Sequence, residues 1–235
     1  MLFLNPDSLG EQALNQLATL ALQSQFQSAQ HLNVQVETNP SLLAQGRLTS
    51  LRVEGSGLVL GGSISLQGLQ LQLRDIAVQP LKALLGTIEL TAPIRGWAWL
   101  VLSEADCEAV LNSGRMANPV RCECCADGTL VITLKAVSVS TRPQLCPQRG
   151  RATCAVLDQT NALPPEVMTR LERCLNLEPF TLPGLSLHPQ QLRVETGRIT
   201  IQAQACLTHF PQRRSPTRHP SAARPRSRRP APSAG

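Results

Sequence analysis

The first apolar segment, from about Ser8 to Gln30, constrains this chain more than any other feature. Ser8 and Glu11 have capping-box spacing, in which two side chains satisfy free backbone N–H groups at a helix start. At 100° per residue, Leu9, Ala13, Leu14, Leu17, Ala18, Leu20, Ala21 and Leu22 cover more than half of the circumference. The remaining ridge is polar but uncharged: Gln12, Asn15, Gln16, Thr19, Gln23 and Gln30. A helix laid on one flat layer needs an apolar stripe of only ~100°. The wide arc predicts a helix ~33 Å long that is enclosed on more than one side, as if a curved sheet wrapped it. The helix has no Lys or Arg, which argues against a basic helix lying on a membrane surface.

After His31 the apolar period changes from 3.6 to 2. Leu32, Val34 and Val36 alternate with polar residues, and Asn39-Pro40 marks a turn. Strands are predicted over Gly46–Glu54, Gly57–Leu60 and Ser63–Val78. In the last of these, Ile64 and Leu66 are out of phase with Leu69, Leu71 and Leu73, which predicts a bulge at Gly68 that bends the sheet. A strand pair follows over Thr87–Ala92 and Gly96–Leu102. Ser103 and Asp106 cap a short helix that runs to about Asn112. Asp127-Gly128 reads as a hairpin turn between Pro119–Cys125 and Thr129–Ser140. A further helix is expected from Pro165 to Asn176, with Pro165 suited to the first helical position. Two closing strands then flank Thr196-Gly197.

Charge divides the chain unevenly. The net charge is +6, but seven arginines and no acid lie from Arg213 onward, so the body carries +6 − 7 = −1. The basic balance therefore belongs to a tail, and nucleic-acid binding is not expected of the body. Residues 211–235 are rich in Pro, Arg, Ser and Ala and have almost nothing to bury, so disorder is expected there. The expected division is a domain over 1–210 and a tail over 211–235. The N-terminus has no basic n-region, the first basic residue being Arg47, and no run reaches the ~18 apolar residues of a membrane span. A cytoplasmic protein, in solution or peripheral to a membrane, with reduced thiols is the expectation.

Few residues suggest chemistry. Cys122, Cys124 and Cys125 form the one cluster that could ligate metal, yet Cys-x-Cys-Cys is not a zinc spacing and no His lies nearby. Small half-buried residues of a hairpin explain them better, and no metal or other cofactor is expected. The four histidines, placed in loops or the tail, form no catalytic triad, and the glycines from Gly55 to Gly62 read as turns rather than a phosphate cradle. No enzyme is indicated. Trp97 and Trp99 share one side of a strand in a chain with 3% aromatic residues and no Tyr. Core packing is the commoner role for such a pair; a cavity wall or membrane interface is the alternative.

The order of segments resembles a known family. Asn39-Pro-Ser-Leu-Leu-Ala-Gln-Gly46-Arg-Leu-Thr-Ser-Leu51 with Gly55-Ser-Gly57-Leu58, Ala83-Leu-Leu-Gly86-Thr-Ile-Glu-Leu90 and Leu102-Ser-Glu-Ala-Asp106 carry the likeness. So do Phe180-Thr-Leu-Pro-Gly184-Leu-Ser-Leu and Glu195-Thr-Gly197-Arg-Ile. Together they resemble the bacterial LmeA-like phospholipid-binding proteins over about Leu9 to Pro211. Two departures stand out: Asp106-Cys107-Glu108 where the family continues Asp-Leu-Asn, and the cysteine-rich stretch from Cys122 to Cys154. The resemblance implies an α+β fold like half of a tubular lipid-binding module. In it a long N-terminal helix is cradled by a strongly curved antiparallel sheet, with two short additional helices. It also implies non-enzymatic binding of phospholipid or another amphiphile, in a cavity between helix and sheet or at a membrane surface. Leu14, Leu17, Ala21, Phe26, Trp97 and Trp99 are the expected lipid contacts. The alternatives are a lipid-free protein-interaction scaffold whose tail contacts a partner and, behind it, a Cys-ligated metal protein.

Overall fold

The computed structural model describes residues 15–16, 18–60, 64–79, 89–114, 118–146, 150–157 and 162–210. The described chain is α+β, and its strands form two antiparallel sheets rather than the single sheet expected. The larger has the order β1-β2-β3-β4-β10-β9, and the smaller β5-β6-β7-β8. In the first, β1 is His31–Glu37, β2 Arg47–Leu60, β3 Ile64–Ala77, β4 Ile94–Ser103, β9 Leu185–Glu195 and β10 Arg198–Leu207. In the second, β5 is Val120–Cys124, β6 Leu130–Leu134, β7 Val137–Cys146 and β8 Arg151–Val156.

The predicted N-terminal helix, α1, is helical at residues 15–16 and 18–23 and ends well short of Gln30. Its end has a local cause. Gln25 N–H donates to Leu22 O, and Ser24 Oγ donates to Ala21 O at 2.7 Å, which spends carbonyls that another turn would need. The chain then pairs with β2: Gln27 N donates to Val59 O and Val59 N to Ser28 O, both at 2.8 Å. The start expected at Ser8 lies outside the described residues, so a long helix is not shown. Ala18 and Leu22 are buried in the core, and Asn15 Oδ1 accepts from Val36 N, tying α1 to β1.

The β2–β3 hairpin corrects the bulge expected at Gly68. Its register runs unbroken from Arg47↔Ala77 to Leu60↔Ile64, with no inserted residue. The apolar phase nevertheless changes, in both strands together. Leu58, Leu60 and Leu66 are buried at one end, and Leu51, Val53, Leu69, Leu71 and Leu73 in the middle. The ladder skips the pairs Gly57/Gln67 and Thr49/Asp75, and Gly57 and Asp75 have φ of 56° and 53°. Left-handed residues at these two points turn the hairpin over without adding a residue to either strand.

Other elements differ in detail. The segments expected at Gly46–Glu54 and Gly57–Leu60 are one continuous β2. Asn39 is the N-cap of a short helix, α2 (Pro40–Ala44), and its Oδ1 accepts from Leu42 N at 2.8 Å. The strand expected at Thr129–Ser140 is folded in two at Lys135-Ala136, where Lys135 has φ of 57°, and β8 was not expected. Helix α3 (Glu104–Leu111) carries the predicted capping box between Ser103 and Asp106, and α4 (Pro165–Leu175) starts at Pro165 as expected. His31 and His188 belong to strands rather than loops. Tail residues 211–235 lie outside the described residues.

One contiguous cluster of buried residues joins both sheets with α1, α3 and α4. On the large sheet its share is the alternating set Val34, Val36, Leu51, Val53, Leu71, Leu73, Ala98, Leu100, Ile199, Ile201 and Ala203. The opposite face of that sheet remains open.

Candidate functional site

Strand register builds the open face row by row. Trp97 lies between Gln72 on β3 and Gln204 on β10. Trp99 lies between Gln70 and Gln202, and Val101 between Gly68 and Thr200. Arg52 and Glu54 extend the first two rows onto β2, opposite Gln72 and Gln70. Gln191 and Arg193 extend the last two onto β9, opposite Gln202 and Thr200. The sequence segments that make this pattern alternate strictly: Leu69-Gln-Leu-Gln-Leu-Arg74, Trp97-Ala-Trp99 and Ile201-Gln-Ala-Gln-Ala205. Period-two alternation sends every Leu, Ala and Ile to the core and every Gln and Trp outward.

These outward side chains are uncommitted. Among the described residues, Gln70, Gln72, Gln202, Gln204, Arg52, Arg74, Arg95 and Arg193 make no side-chain hydrogen bond or ion pair. Trp97 is 45% exposed, unusual for an indole, and Trp99 is half-buried. Shallow depressions surround the two rings. One of about 550 Å³ is lined by Trp99, Leu192, Gln191, Gln202 and, from the smaller sheet, Pro143 and Leu145. It opens beside an irregularity in β9, where the register slips between Gln202 and Ala203, and Pro189 is tolerated because β9 is an edge strand. A second, of about 400 Å³, is lined by Gln72, Arg74, Arg95, Gly96, Trp97 and Gln204.

The face is electropositive. Arg52, Arg74, Arg95, Arg193 and Arg198 outnumber Glu37, Glu54 and Glu195, and Glu195 is paired with Arg198 at 2.7 Å. Chemically, amides supply donors and acceptors, guanidinium groups bind anionic oxygens, and indoles add apolar bulk with one N–H donor. Such a set suits a polar, negatively charged group attached to something apolar.

Of the residues expected from the sequence, Trp97 and Trp99 are brought together here. Ala21 and Phe26 are partly buried and pack against the core cluster, Phe26 lying beyond the end of α1. Leu14 and Leu17 lie outside the described residues. The glutamine rows and the arginines were missed; the alternation was visible, but the register that aligns it was not.

The cysteines occupy a different place. Cys122 and Cys124 point into the core from β5, and Cys125 turns away at the hairpin. The buried thiols of Cys124, Cys122, Cys107 and Cys174 lie close together where β5, α3 and α4 meet. The Cys122 and Cys124 thiols are pushed well above their ordinary range, first by the neighbouring thiols and then by burial. Among the described residues, no three His, Cys, Asp or Glu side chains are arranged to hold a metal ion.

No curated protein and no solved structure matches the chain. A family model, described as LmeA-like phospholipid-binding, matches residues 6–204, which span both sheets up to Gln204 on β10 and include both tryptophans of the open face. On that match, the chain belongs to the LmeA-like phospholipid-binding family.

Proposed function

We propose that this protein binds phospholipid without catalysis, and that it meets the lipid on the open face of its larger sheet, at a membrane surface. The observation that carries this reading is the placement of Trp97 and Trp99 on that face, each flanked by glutamines with no protein partner. Indoles settle at the depth of lipid headgroups because one molecule offers both an apolar ring and a donor. Val101 supplies further apolar area beside them, and unpaired arginines answer headgroup phosphates. Burial of each acyl CH₂ against such a surface stabilises by ~0.8 kcal/mol. Among the described residues no helix is long and apolar enough to cross a membrane, which leaves contact from one side as the mode proposed. Ala21 and Phe26 would act from beneath, by holding the sheet's buried side. The binding unit proposed is residues 1–210. The seven arginines from Arg213 onward would add attraction to anionic surfaces, at ~1 kcal/mol for each one held close.

The chain offers its own probe. It has two Trp and no Tyr, so its intrinsic emission reports this face alone. Titration with phosphatidylcholine and phosphatidylglycerol vesicles should shift the emission to shorter wavelength, and bromine-labelled acyl chains should quench it. Phospholipid should also co-purify with the protein. Unchanged emission, with the protein left in the supernatant after vesicle sedimentation, would overturn the proposal.

A further inference from the structure

We infer that the depression between Arg74 and Arg95 seats the phosphate of an anionic phospholipid headgroup, and so makes this face selective for negatively charged lipid. The inference rests on the lipid reading above and adds to it a place and a charge preference.

The β3–β4 ladder ends at the pair Leu73↔Gly96. The next position in the same register sets Arg74 against Arg95, both exposed and both on the open face. Like charges placed opposite one another across strands repel. Here no carboxylate intervenes: the residues lining the depression are Gln72, Arg74, Arg95, Gly96, Trp97 and Gln204. Neither arginine has an ion pair or hydrogen bond among the described residues. An anion held between the two guanidinium groups would convert this repulsion into two charge-assisted contacts. Gly96 supplies only backbone to the lining, and the depression holds about 400 Å³, enough for a phosphate and the group esterified to it. Gln72 and Gln204 flank the cavity with amide donors that have no other partner, and Trp97 forms its wall. The same ring would carry the glycerol and the first methylenes of the lipid, because it stands between the charged seat and the more apolar surface around Trp99.

The test compares the full chain with the double substitution Arg74→Gln/Arg95→Gln. A charge-matched control, Arg121→Gln/Arg142→Gln, removes two exposed arginines from the smaller sheet. Each protein is titrated with vesicles of phosphatidylcholine alone and of phosphatidylcholine doped with phosphatidylglycerol, with Trp emission as readout. The quantity of interest is the ratio of the two affinities. The unaltered protein should favour the doped vesicles. The ratio should fall roughly thirtyfold in Arg74→Gln/Arg95→Gln, the effect of two basic residues near an anionic surface, and little in the control. An equal fall in the control would assign the preference to overall charge and overturn the seat, as would an unaltered ratio in the test variant. Inorganic phosphate that by itself reproduces the full emission change would overturn it too, in favour of a free-anion site. In all three cases binding to phosphatidylcholine vesicles would leave the broader lipid reading standing. An unaltered protein that ignores both vesicles would remove that reading together with the seat.

Discussion

Gly96 leaves no room on β4 for a side chain: a Cβ built there would lie 2.1 Å from the Gln72 carbonyl oxygen and 2.6 Å from Leu73 Cδ2. Neither neighbour can yield easily, since one is backbone within a ladder and the other a fully buried core side chain. Gly96→Ala should therefore spread the two strands and cost roughly 2–4 kcal/mol, read as a lower urea midpoint. A midpoint within experimental scatter of the original would show that the strands part freely at this point. The same substitution would disturb the arginine depression, so its stability and its lipid preference should fall together. Asp106 is the opposite case, a buried side chain whose group is indispensable rather than absent. Its Oδ2 accepts from Ser103 N at 2.8 Å and Gln67 N at 3.0 Å, and its Oδ1 from the Ser65 hydroxyl. The bond to Ser103 was legible in the sequence as a capping box. The two to β3 were not, because they join residues about forty positions apart that only the fold brings together.

Helix α3 shows how one element can close another. Strand β5 is an edge of the smaller sheet, and its free N–H groups would otherwise invite a foreign strand. They are taken up instead by side chains of α3 and its C-cap. Glu104 accepts from Cys124 N at 2.7 Å, Glu108 from Cys122 N at 3.0 Å and Asn112 Oδ1 from Val120 N at 2.7 Å. The match is geometric: four residues of helix rise ~6.0 Å, and two residues of strand ~6.6 Å. At the other edge, Asn176 at the end of α4 exchanges two bonds of 2.8 Å with the backbone of Ala152 on β8. Asn112→Ala and Asn176→Ala should each cost about 1–3 kcal/mol by stranding backbone groups. Hydrogen exchange should quicken first at Val120 and Ala152 respectively. Uniform exchange rates would place the loss in the helix caps instead. At this scale the sequence was readable where chemistry is local: Ser103, Asp127-Gly128 and Pro165 marked their elements. It was silent where tertiary pairing decides. Lys135-Ala136 carries no turn residue yet folds a strand in two, because Leu134 and Val137 pair with each other. The N-terminal segment has helical periodicity through Gln30, but pairing with Val59 claims it from Gln27.

Across the whole molecule the two sheets share one core, and the buried thiols belong to it, with Cys107 on α3, Cys174 on α4 and Cys122 and Cys124 on β5. Their position makes alkaline stability a test of that core. Cys107 is raised well above its ordinary value of 9.0; the neighbouring Cys122 thiol opposes the rise, but the Cys174 thiol and burial outweigh it. Cys122 and Cys124 are raised as well, and burial pushes Cys154 up to about 12. Below pH 9 these thiols are protonated whether the chain is folded or not, and their contribution to stability is fully present. Above pH 9 the unfolded chain releases protons that the folded chain keeps, so the folded state loses ground as pH rises. For Cys154 the loss accrues from about 9 to about 12. The signal should be unusually clean, because the chain has no Tyr, and Lys82 and Lys135 are its only lysines. Urea midpoints should be level from pH 7 to 8.5 and decline steadily by pH 10.5, and Cys154→Ser should remove part of the slope. Because the thiols belong to a core shared by both sheets, the decline should appear in one transition that loses strand signal and Trp emission together. A midpoint that ignores pH through this range would mean that the thiols are not buried as described. Two separate transitions, only one of them sensitive to pH, would mean that the sheets share no cooperative core and that the proposed lipid face on the larger sheet stands without support from the smaller.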